Sequence, residues 1–331
     1  MSGQIRDDLT EMTRKLCEYV DKGRKIGYHE VVEEPIVAVR PEVSRIKSLK
    51  RVNNSNLHFL AVDCSTRTLK RASNWGIYLL RVAIAVVKGR ELDWTYRERI
   101  CTAVGDSYMR YRFLGDARVE FESEMALDAL HHGKIYDGDY LLLDGPSYFG
   151  GARKFRISLY EKCKEERINL LAISKQSPTL HDEKGRDFMA AAYTLSPYSL
   201  WIYHPITTAN TDKHLYGDIS LVKLCESSPR VFRCDIMEYL TLTNVEELIC
   251  PLTSIAEDPR CLGYPAPLWL AHDFSAPSDS MLLHYHDNVV QELANTGLLE
   301  ILRREEHTCS FADELHGVRH AFERELWGDY V

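Results

Sequence analysis

The stretch YLLLDGPSYFGGARKFRISLYEKCKEERINLLAISK, residues 140–175, decides the fold class because it places a helical pattern between two apolar runs. The first run predicts a buried strand that ends at Asp144, where Gly145 and Pro146 turn the chain. The second run, NLLAISK, predicts another buried strand. A strand–helix–strand order of this length favours parallel pairing. We therefore expect an α/β fold in which helices flank a mixed sheet.

Apolar segments upstream of this stretch predict antiparallel strands. Leu57 to Val62 forms a short apolar strand that we expect to end on Asp63. The segment GIYLLRVAIAVVKG, residues 76–89, is rich in strand-forming residues, and a two-residue turn leads from it into ELDWTY. Residues 106–132 then carry a helical pattern, which Gly133 and the turn YDGD terminate. The sheet is thus predicted to combine antiparallel and parallel strands.

Extra helices are predicted at both ends of the chain. Residues 1–24 form an amphipathic pattern, and residues 278–306 give the longest helical pattern near the C-terminus. Three further strands are predicted between them, within SLWIYHPI, GDISLVKLC and RVFRCDIM. The apolar side of the first helix consists of Leu9, Met12, Leu16 and Val20.

Composition favours a cytoplasmic protein without membrane spans. The 331 residues are 45% hydrophobic and carry a formal net charge of −8, which argues weakly against a basic nucleic-acid coat protein but leaves room for a local basic groove. Nine cysteines without any Cys-x-x-Cys pair exclude the usual zinc spacings and suit a reducing compartment. The longest apolar stretch contains Arg81 and is too short to cross a bilayer.

Three carboxylates suggest a metal site. Asp63 and Asp144 each follow an apolar strand, and functional sites of parallel sheets lie at such strand ends. Glu122 falls on the apolar face of the helix that precedes the second strand, where an unpaired carboxylate is costly. Turn capping by the aspartates, and a salt bridge from Glu122 to Arg118, are the alternatives. A set of oxygen ligands suits Mg²⁺ or Mn²⁺, and a pair of such ions can promote hydrolysis of a phosphodiester.

The order of short motifs resembles the NurA nuclease family. VDCST comes first, then a helix that carries an acid, then YLLLDGP, LLAISKQS and YPAPLWLAH, so that the resemblance spans roughly residues 55–300. It implies an RNase H-like fold, a homodimer and a manganese-dependent DNA nuclease that works with a HerA-type hexameric translocase in DNA end resection. With the helical and basic pattern of the first residues, it predicts two regions, an N-terminal helical and basic extension over residues 1–52 and a NurA-like nuclease domain over residues 53–331.

The resemblance assigns site residues position by position. Glu122 is the best match for the helix acid, with Glu124 as its rival, and Tyr216 is preferred over Tyr203 for an expected tyrosine. The family's first motif commonly reads Asp-Gly-Ser, whereas this chain has Cys64 at the glycine position. The metal ligands are then expected to be Asp63, Glu122, Asp144 and His272. The complete predicted catalytic set is Asp63, Glu122, Asp144, Lys175, Tyr216 and His272.

Basic and aromatic residues follow the two aspartates closely in sequence and could line a groove for nucleic acid. Two other functions stay open on the residues alone. DCST and DGPS could be the phosphate loops of an actin-like ATPase or sugar kinase, or the chain could be a non-catalytic adaptor of a DNA translocase. The basic residues are Arg67, Lys70, Arg71, Arg153, Lys154 and Arg156, and the aromatic residues are Trp75, Tyr148 and Phe149.

Overall fold

The computed structural model describes residues 3–22, 35–53 and 56–306 of the chain. The strands are β1 Val37–Ala38, β2 Ile46–Ser48, β3 Phe59–Arg71, β4 Trp75–Lys88, β5 Glu91–Val104, β6 Tyr140–Asp144, β7 Asn169–Ser174, β8 Leu180–His181, β9 Trp201–Thr207, β10 Gly217–Lys223 and β11 Phe232–Met237. The helices are α1 Gly3–Lys22, α2 Ser107–His131, α3 Arg156–Glu165, α4 Phe188–Leu195, α5 Val245–Ile249, α6 Ala266–Ser275 and α7 Asp279–Asn295.

Nine of these strands form one mixed sheet in the order β2-β9-β10-β11-β7-β6-β3-β4-β5. Strand β6 pairs in parallel with both β3 and β7, which confirms the predicted strand–helix–strand unit. The long strands β3, β4 and β5 are antiparallel, and the predicted turn at Gly89 joins the last two. The α/β mixed sheet with flanking helices is therefore as predicted.

Strand β3 differs from the prediction, because it does not end at Asp63 but continues to Arg71. Its antiparallel ladder with β4 carries it onward, and within that ladder Asp63 lies opposite Ala83. The parallel ladder with β6 stops earlier, at the pair Val62 and Leu143. Strand β6 ends at Asp144, and Gly145 then adopts a φ of 102°, which favours glycine. Asp63 thus lies where β3 loses its neighbour on one side.

Two helices pack over this part of the sheet. Helix α2 begins at the capping residue Asp106, whose side chain accepts a hydrogen bond from the main-chain N–H of Met109. Its inner face buries Phe121, Met125 and Ala126. Helix α6 packs on β3 and β4, where Ser65 donates a hydrogen bond to the carbonyl of Ser275. Acidic side chains on α2, within β3 at Asp63 and at the end of β6 can therefore meet at one edge.

The N-terminal segment adds to the same body. Helix α1 buries Leu9, Met12 and Leu16 against a cluster that includes residues of β4 and β5, and β2 pairs with β9 in the sheet. The predicted division into two regions at residue 52 stays a prediction. Residues 23–34 of the first region and residues 307–331 of the second lie outside the described residues.

The predicted C-terminal helix is interrupted. Helix α7 ends at Asn295, Gly297 follows with a φ of 73°, and helical structure resumes at residue 299. In the described ranges, no helix combines the length and the apolar composition that a membrane span requires. Eight cysteines fall in these ranges, and all eight are free thiols.

Candidate active site

Asp63 is almost fully buried and lies between two helices. Its Oδ2 atom is 2.6 Å from Nδ1 of His272 on α6, and its Oδ1 atom is 3.9 Å from a guanidinium nitrogen of Arg118 on α2. The main-chain N–H of Cys64 also donates to Oδ1, at 2.9 Å. Cys64 itself has ordinary strand backbone within β3, so the side chain at the family's glycine position causes no strain. Asp63 is thus contacted by His272 from α6 and by Arg118 from α2.

Asp144 ends β6, one strand away from Asp63. Its Oδ2 atom is 2.9 Å from Nζ of Lys175, which follows β7 directly. Its Oδ1 atom accepts a hydrogen bond of 3.1 Å from the hydroxyl of Tyr264, which also lies 3.2 Å from the carbonyl oxygen of Ile173. The predicted residues Asp144 and Lys175 are therefore in direct contact, while Tyr264 joins the carboxylate to the end of β7.

Glu122 is the third acid, and it is buried on the inner face of α2. Nη2 of Arg156, at the start of α3, donates to Oε2 of Glu122 at 2.7 Å. Nη1 and Nη2 of Arg156 also lie 3.3 Å from the carbonyl oxygen of Asp144. The rival acid Glu124 points away and forms an ion pair with Arg99. The geometry therefore connects Glu122, and not Glu124, to the end of β6.

The acids differ in their ionisation. Burial alone would raise the pKa of Asp63, but the hydrogen bond from His272 and the positive charges of Arg118, His272 and Lys175 outweigh it and lower the pKa. Burial raises the pKa of Glu122, and the negative charge of Asp63 raises it further. The positive charges of Arg156 and Arg118 lower this pKa but do not outweigh the increase. The carboxylates of Asp63 and Glu122 therefore interact electrostatically, although they belong to different elements.

The three carboxylates are candidate ligands for a metal ion. Across the described ranges, no three His, Cys, Asp or Glu side chains stand close enough together to hold a metal ion as they are placed. Asp63, Glu122 and Asp144 are instead paired with His272, Arg156 and Lys175 respectively. Carboxylate oxygens are nevertheless the ligands that hard divalent cations prefer. The chemistry of the set fits such a cation, provided that the side chains exchange some of their present partners.

Neither predicted tyrosine lies against these carboxylates in the described contacts. The ring of Tyr216 stacks on Phe149 with centroids 5.1 Å apart, and its main-chain N–H donates to the carbonyl of Ser147. Tyr203 is fully buried, and its hydroxyl accepts a hydrogen bond from the main-chain N–H of Glu42. Tyr216 thus borders the loop that follows Asp144, and a catalytic role for it stays a prediction.

Several residues of the predicted groove are buried in the core or form ion pairs within the protein. Trp75 and Phe149 are fully buried, whereas Tyr148 remains partly exposed. Among the basic residues, Arg156 is buried against Glu122, and Lys70 forms an ion pair with Glu306. Lys175 and Arg118 contact the acids and keep part of their side chains exposed.

The sequence suggested Arg118 only as an alternative partner of Glu122 and Arg156 only as a groove residue, and it gave Tyr264 no role. Arg118 had a signal, because it precedes Glu122 by one helical turn, but the structure brings it to Asp63 as well. Arg156 starts a helix in a basic run, and the run gives no sign that this one arginine turns inward. Tyr264 begins the motif YPAPLWLAH, yet a lone tyrosine beside prolines is more often a packing residue.

Comparisons with known proteins place the fold. The NurA nuclease from Sulfolobus solfataricus superposes with a TM-score of 0.59 at 15% identity, and the match covers 89% of this chain and 98% of that one. A second NurA structure superposes with a TM-score of 0.52 at 11% identity, covering 78% of this chain and 93% of that one. No family model and no curated protein matches the sequence. The chain therefore has the NurA nuclease fold, with low sequence identity to the solved examples.

Proposed function

We propose that this protein is a metal-dependent nuclease that hydrolyses phosphodiester bonds of DNA. The observation that carries the proposal is the placement of Asp63 and Asp144 at the ends of the paired strand segments of β3 and β6, in a chain with the NurA fold. Glu122 reaches the same edge from α2 through Arg156. Ligand sites of α/β sheets lie at the carboxyl ends of parallel strands, which is where these acids are.

A divalent cation, Mn²⁺ or Mg²⁺, would be held by Asp63, Glu122 and Asp144, with His272 as a further ligand or as an acid. Such an ion, or a pair of them, would supply positive charge that stabilises the negative charge developing on the phosphate. Lys175 and Arg118 would contact a phosphate oxygen, since both side chains are partly exposed. Tyr264 and Arg156 keep the β6 end and Glu122 in fixed positions.

His272 is suited to handle a proton. Its Nδ1 atom contacts Asp63, while the side chain as a whole is 63% exposed, so the other ring nitrogen can face a substrate. An imidazole at this position would be a suitable proton donor for a leaving oxygen. Proton donation at that nitrogen would assist departure of the cleaved strand.

The wider biological role rests on the motif resemblance. By that resemblance the protein would form a homodimer and work with a HerA-type hexameric ATPase in DNA end resection, while its cysteine content favours the cytoplasm. The translocase would supply the movement along DNA, since this chain lacks the Gly-x-x-x-x-Gly-Lys-Ser/Thr order of a P-loop.

The test is cleavage of a linear DNA by the purified protein with Mn²⁺ and with EDTA. The wild-type protein should cleave only with the metal, and Asp144→Asn should lose that activity. Asp137→Asn is the matched control, because Asp137 is an exposed acid that pairs with Arg167 on the surface. Metal-independent cleavage, or full activity in Asp144→Asn, would refute the proposal. DNA binding without any cleavage by the wild-type protein would favour the adaptor function.

A further inference from the structure

A cavity of about 450 Å³ is lined in part by the loops that follow Asp144 and Lys175, and its lining includes none of the acids described above. Its walls come from β1, from the loop after β6, from the loop after β7 and from the β9–β10 connection. This volume falls within the range of pockets that bind small organic molecules. Its lining includes Val39, Tyr148, Thr179, Lys213, Ile219 and Arg233.

Two residues of the cavity lining lie close in sequence to Asp144 and Lys175. Tyr148 stands four residues after Asp144, and Thr179 stands four residues after Lys175. Both loops leave the carboxyl ends of the parallel strands β6 and β7. Four residues span at most about 14 Å, so a strand of nucleic acid whose phosphate lies at Asp144 and Lys175 can extend toward this cavity.

A buried ion pair fixes the wall that carries Tyr148. Asp235 on β11 is fully buried, and its Oδ2 atom accepts hydrogen bonds from both the main-chain N–H and the hydroxyl of Ser147, at 2.8 and 2.9 Å. Nε and Nη2 of Arg233 each donate to this carboxylate at 2.7 Å. Burying two charges costs free energy unless their geometry is well satisfied. Here the pair holds the residue next to Tyr148 in one place.

A second buried aspartate fixes the β9–β10 connection, which also lines the cavity. Oδ1 of Asp218 on β10 accepts a hydrogen bond of 2.8 Å from the main-chain N–H of Ala209, which lines the cavity. Asp218 is only 7% exposed. Two loops that border one cavity are thus each tied to a buried carboxylate on the sheet. A pocket whose walls are fixed in this way is preorganised for a ligand.

The lining determines the kind of ligand. Val39, Ile219 and the partly exposed ring of Tyr148 offer apolar and aromatic surface for a flat group. The exposed Lys213 offers positive charge, and Thr179 adds a hydroxyl. An aromatic ring beside a cation suits a nucleobase with its phosphate, because every base has a face that can stack.

We infer that this cavity binds one nucleotide of a single-stranded DNA segment next to the phosphate at the acids, with its base against Tyr148 and its phosphate near Lys213. The inference rests on the proposed nuclease function for its substrate class. It assigns Tyr148 and Lys213 to substrate binding and leaves the acids as the reacting site.

The experiment measures binding of a fluorescently labelled single-stranded oligonucleotide in EDTA, where cleavage does not interfere. Tyr148→Ala should weaken binding about 5- to 100-fold, the range expected for one stacked base, and Tyr148→Phe should restore it. Lys213→Ala should weaken binding and reduce its salt dependence by about one phosphate contact. Lys184→Ala, at an exposed lysine outside the cavity, is the matched control and should bind as the wild type does.

A filling variant keeps the test independent of folding. Ala209→Trp retains the main-chain bond to Asp218 while its side chain occupies the cavity, so it should weaken oligonucleotide binding as well. Wild-type affinity in folded Ala209→Trp and in Lys213→Ala would overturn the inference. Failure of the wild-type protein to cleave DNA with Mn²⁺ would instead refute the nuclease proposal and leave this binding result intact.

Discussion

Nη2 of Arg156 donates to Oε2 of Glu122 at 2.7 Å, and the side chains of both residues are less than 10% exposed. The same guanidinium reaches the carbonyl oxygen of Asp144, so a single side chain links the acid of α2 to the end of β6. Loss of one partner from a buried ion pair leaves an uncompensated charge in the interior. The arrangement of the acids therefore depends on Arg156.

Replacement of Arg156 by methionine should destabilise the fold. We expect the free energy of unfolding to fall by about 3–5 kcal/mol, because Glu122 remains buried without its cation. Urea denaturation monitored by circular dichroism gives this value. Lys154→Met, at an exposed lysine two residues earlier, should change it by less than about 0.5 kcal/mol. Equal stability of the two variants would show that Arg156 does not hold Glu122.

The raised pKa of Glu122 predicts a pH-dependent contribution to stability. Burial raises this pKa above its ordinary value of 4.5, so the folded state holds the proton at a pH at which the unfolded state has released it. The stability of the wild type relative to Glu122→Gln should therefore decrease as pH rises from about 4.5 through the raised pKa. Urea unfolding of both proteins across this window measures the difference. A difference that stays constant or increases with pH would contradict the assigned direction.

Tyr264→Phe should remove the hydroxyl that holds Asp144. Because the acceptor is a carboxylate, we expect a loss of about 1.5–3 kcal/mol in the free energy of unfolding. Tyr239→Phe is the matched comparison, since its hydroxyl donates to the neutral carbonyl oxygen of Ile168 at 2.7 Å and should cost about 0.5–1.5 kcal/mol. Denaturant titrations of both variants measure the two losses in the free energy of unfolding. A smaller loss for Tyr264→Phe would mean that its bond to Asp144 adds little.

The packing of α1 gives a test of the predicted division at residue 52. Leu16 is fully buried in a cluster that includes Trp75, Ile77 and Ile100 of the sheet. Leu16→Ala should therefore lower the stability of the whole fold by about 2–5 kcal/mol, whereas the exposed Thr10→Ala should not. A single unfolding transition that shifts as one unit would show that α1 belongs to the main body. A separate early transition would support an independent extension.

The sequence was informative where chemistry and local pattern agree. The run YLLLD followed by Gly-Pro predicted both β6 and the position of Asp144, because an apolar strand and a turn are local properties. Glu122 could be separated from Glu124 by helical periodicity alone, since only one of them shares a face with Phe121, Met125 and Ala126.

Long-range pairing explains what the sequence missed. The end of β3 could not be read from its own residues, because β4 continues the ladder to Arg71 through polar residues. The inward turn of Arg156 depends on how α3 meets α2, and the bond from Tyr264 depends on a loop far along the chain. Contacts between distant segments are set by packing and leave little trace in local composition.

The most direct measurement compares DNA cleavage by Glu122→Gln and Glu124→Gln with Mn²⁺ present. The two acids lie on one helix two residues apart, but only Glu122 is buried beside Arg156, while Glu124 pairs with Arg99 on the outer side. We predict that Glu122→Gln loses cleavage by at least about 100-fold, equivalent to roughly 2.7 kcal/mol, and that Glu124→Gln cleaves as the wild type does. Equal rates in the two variants, or loss of cleavage only in Glu124→Gln, would contradict the assignment of Asp63, Glu122 and Asp144 as the active site.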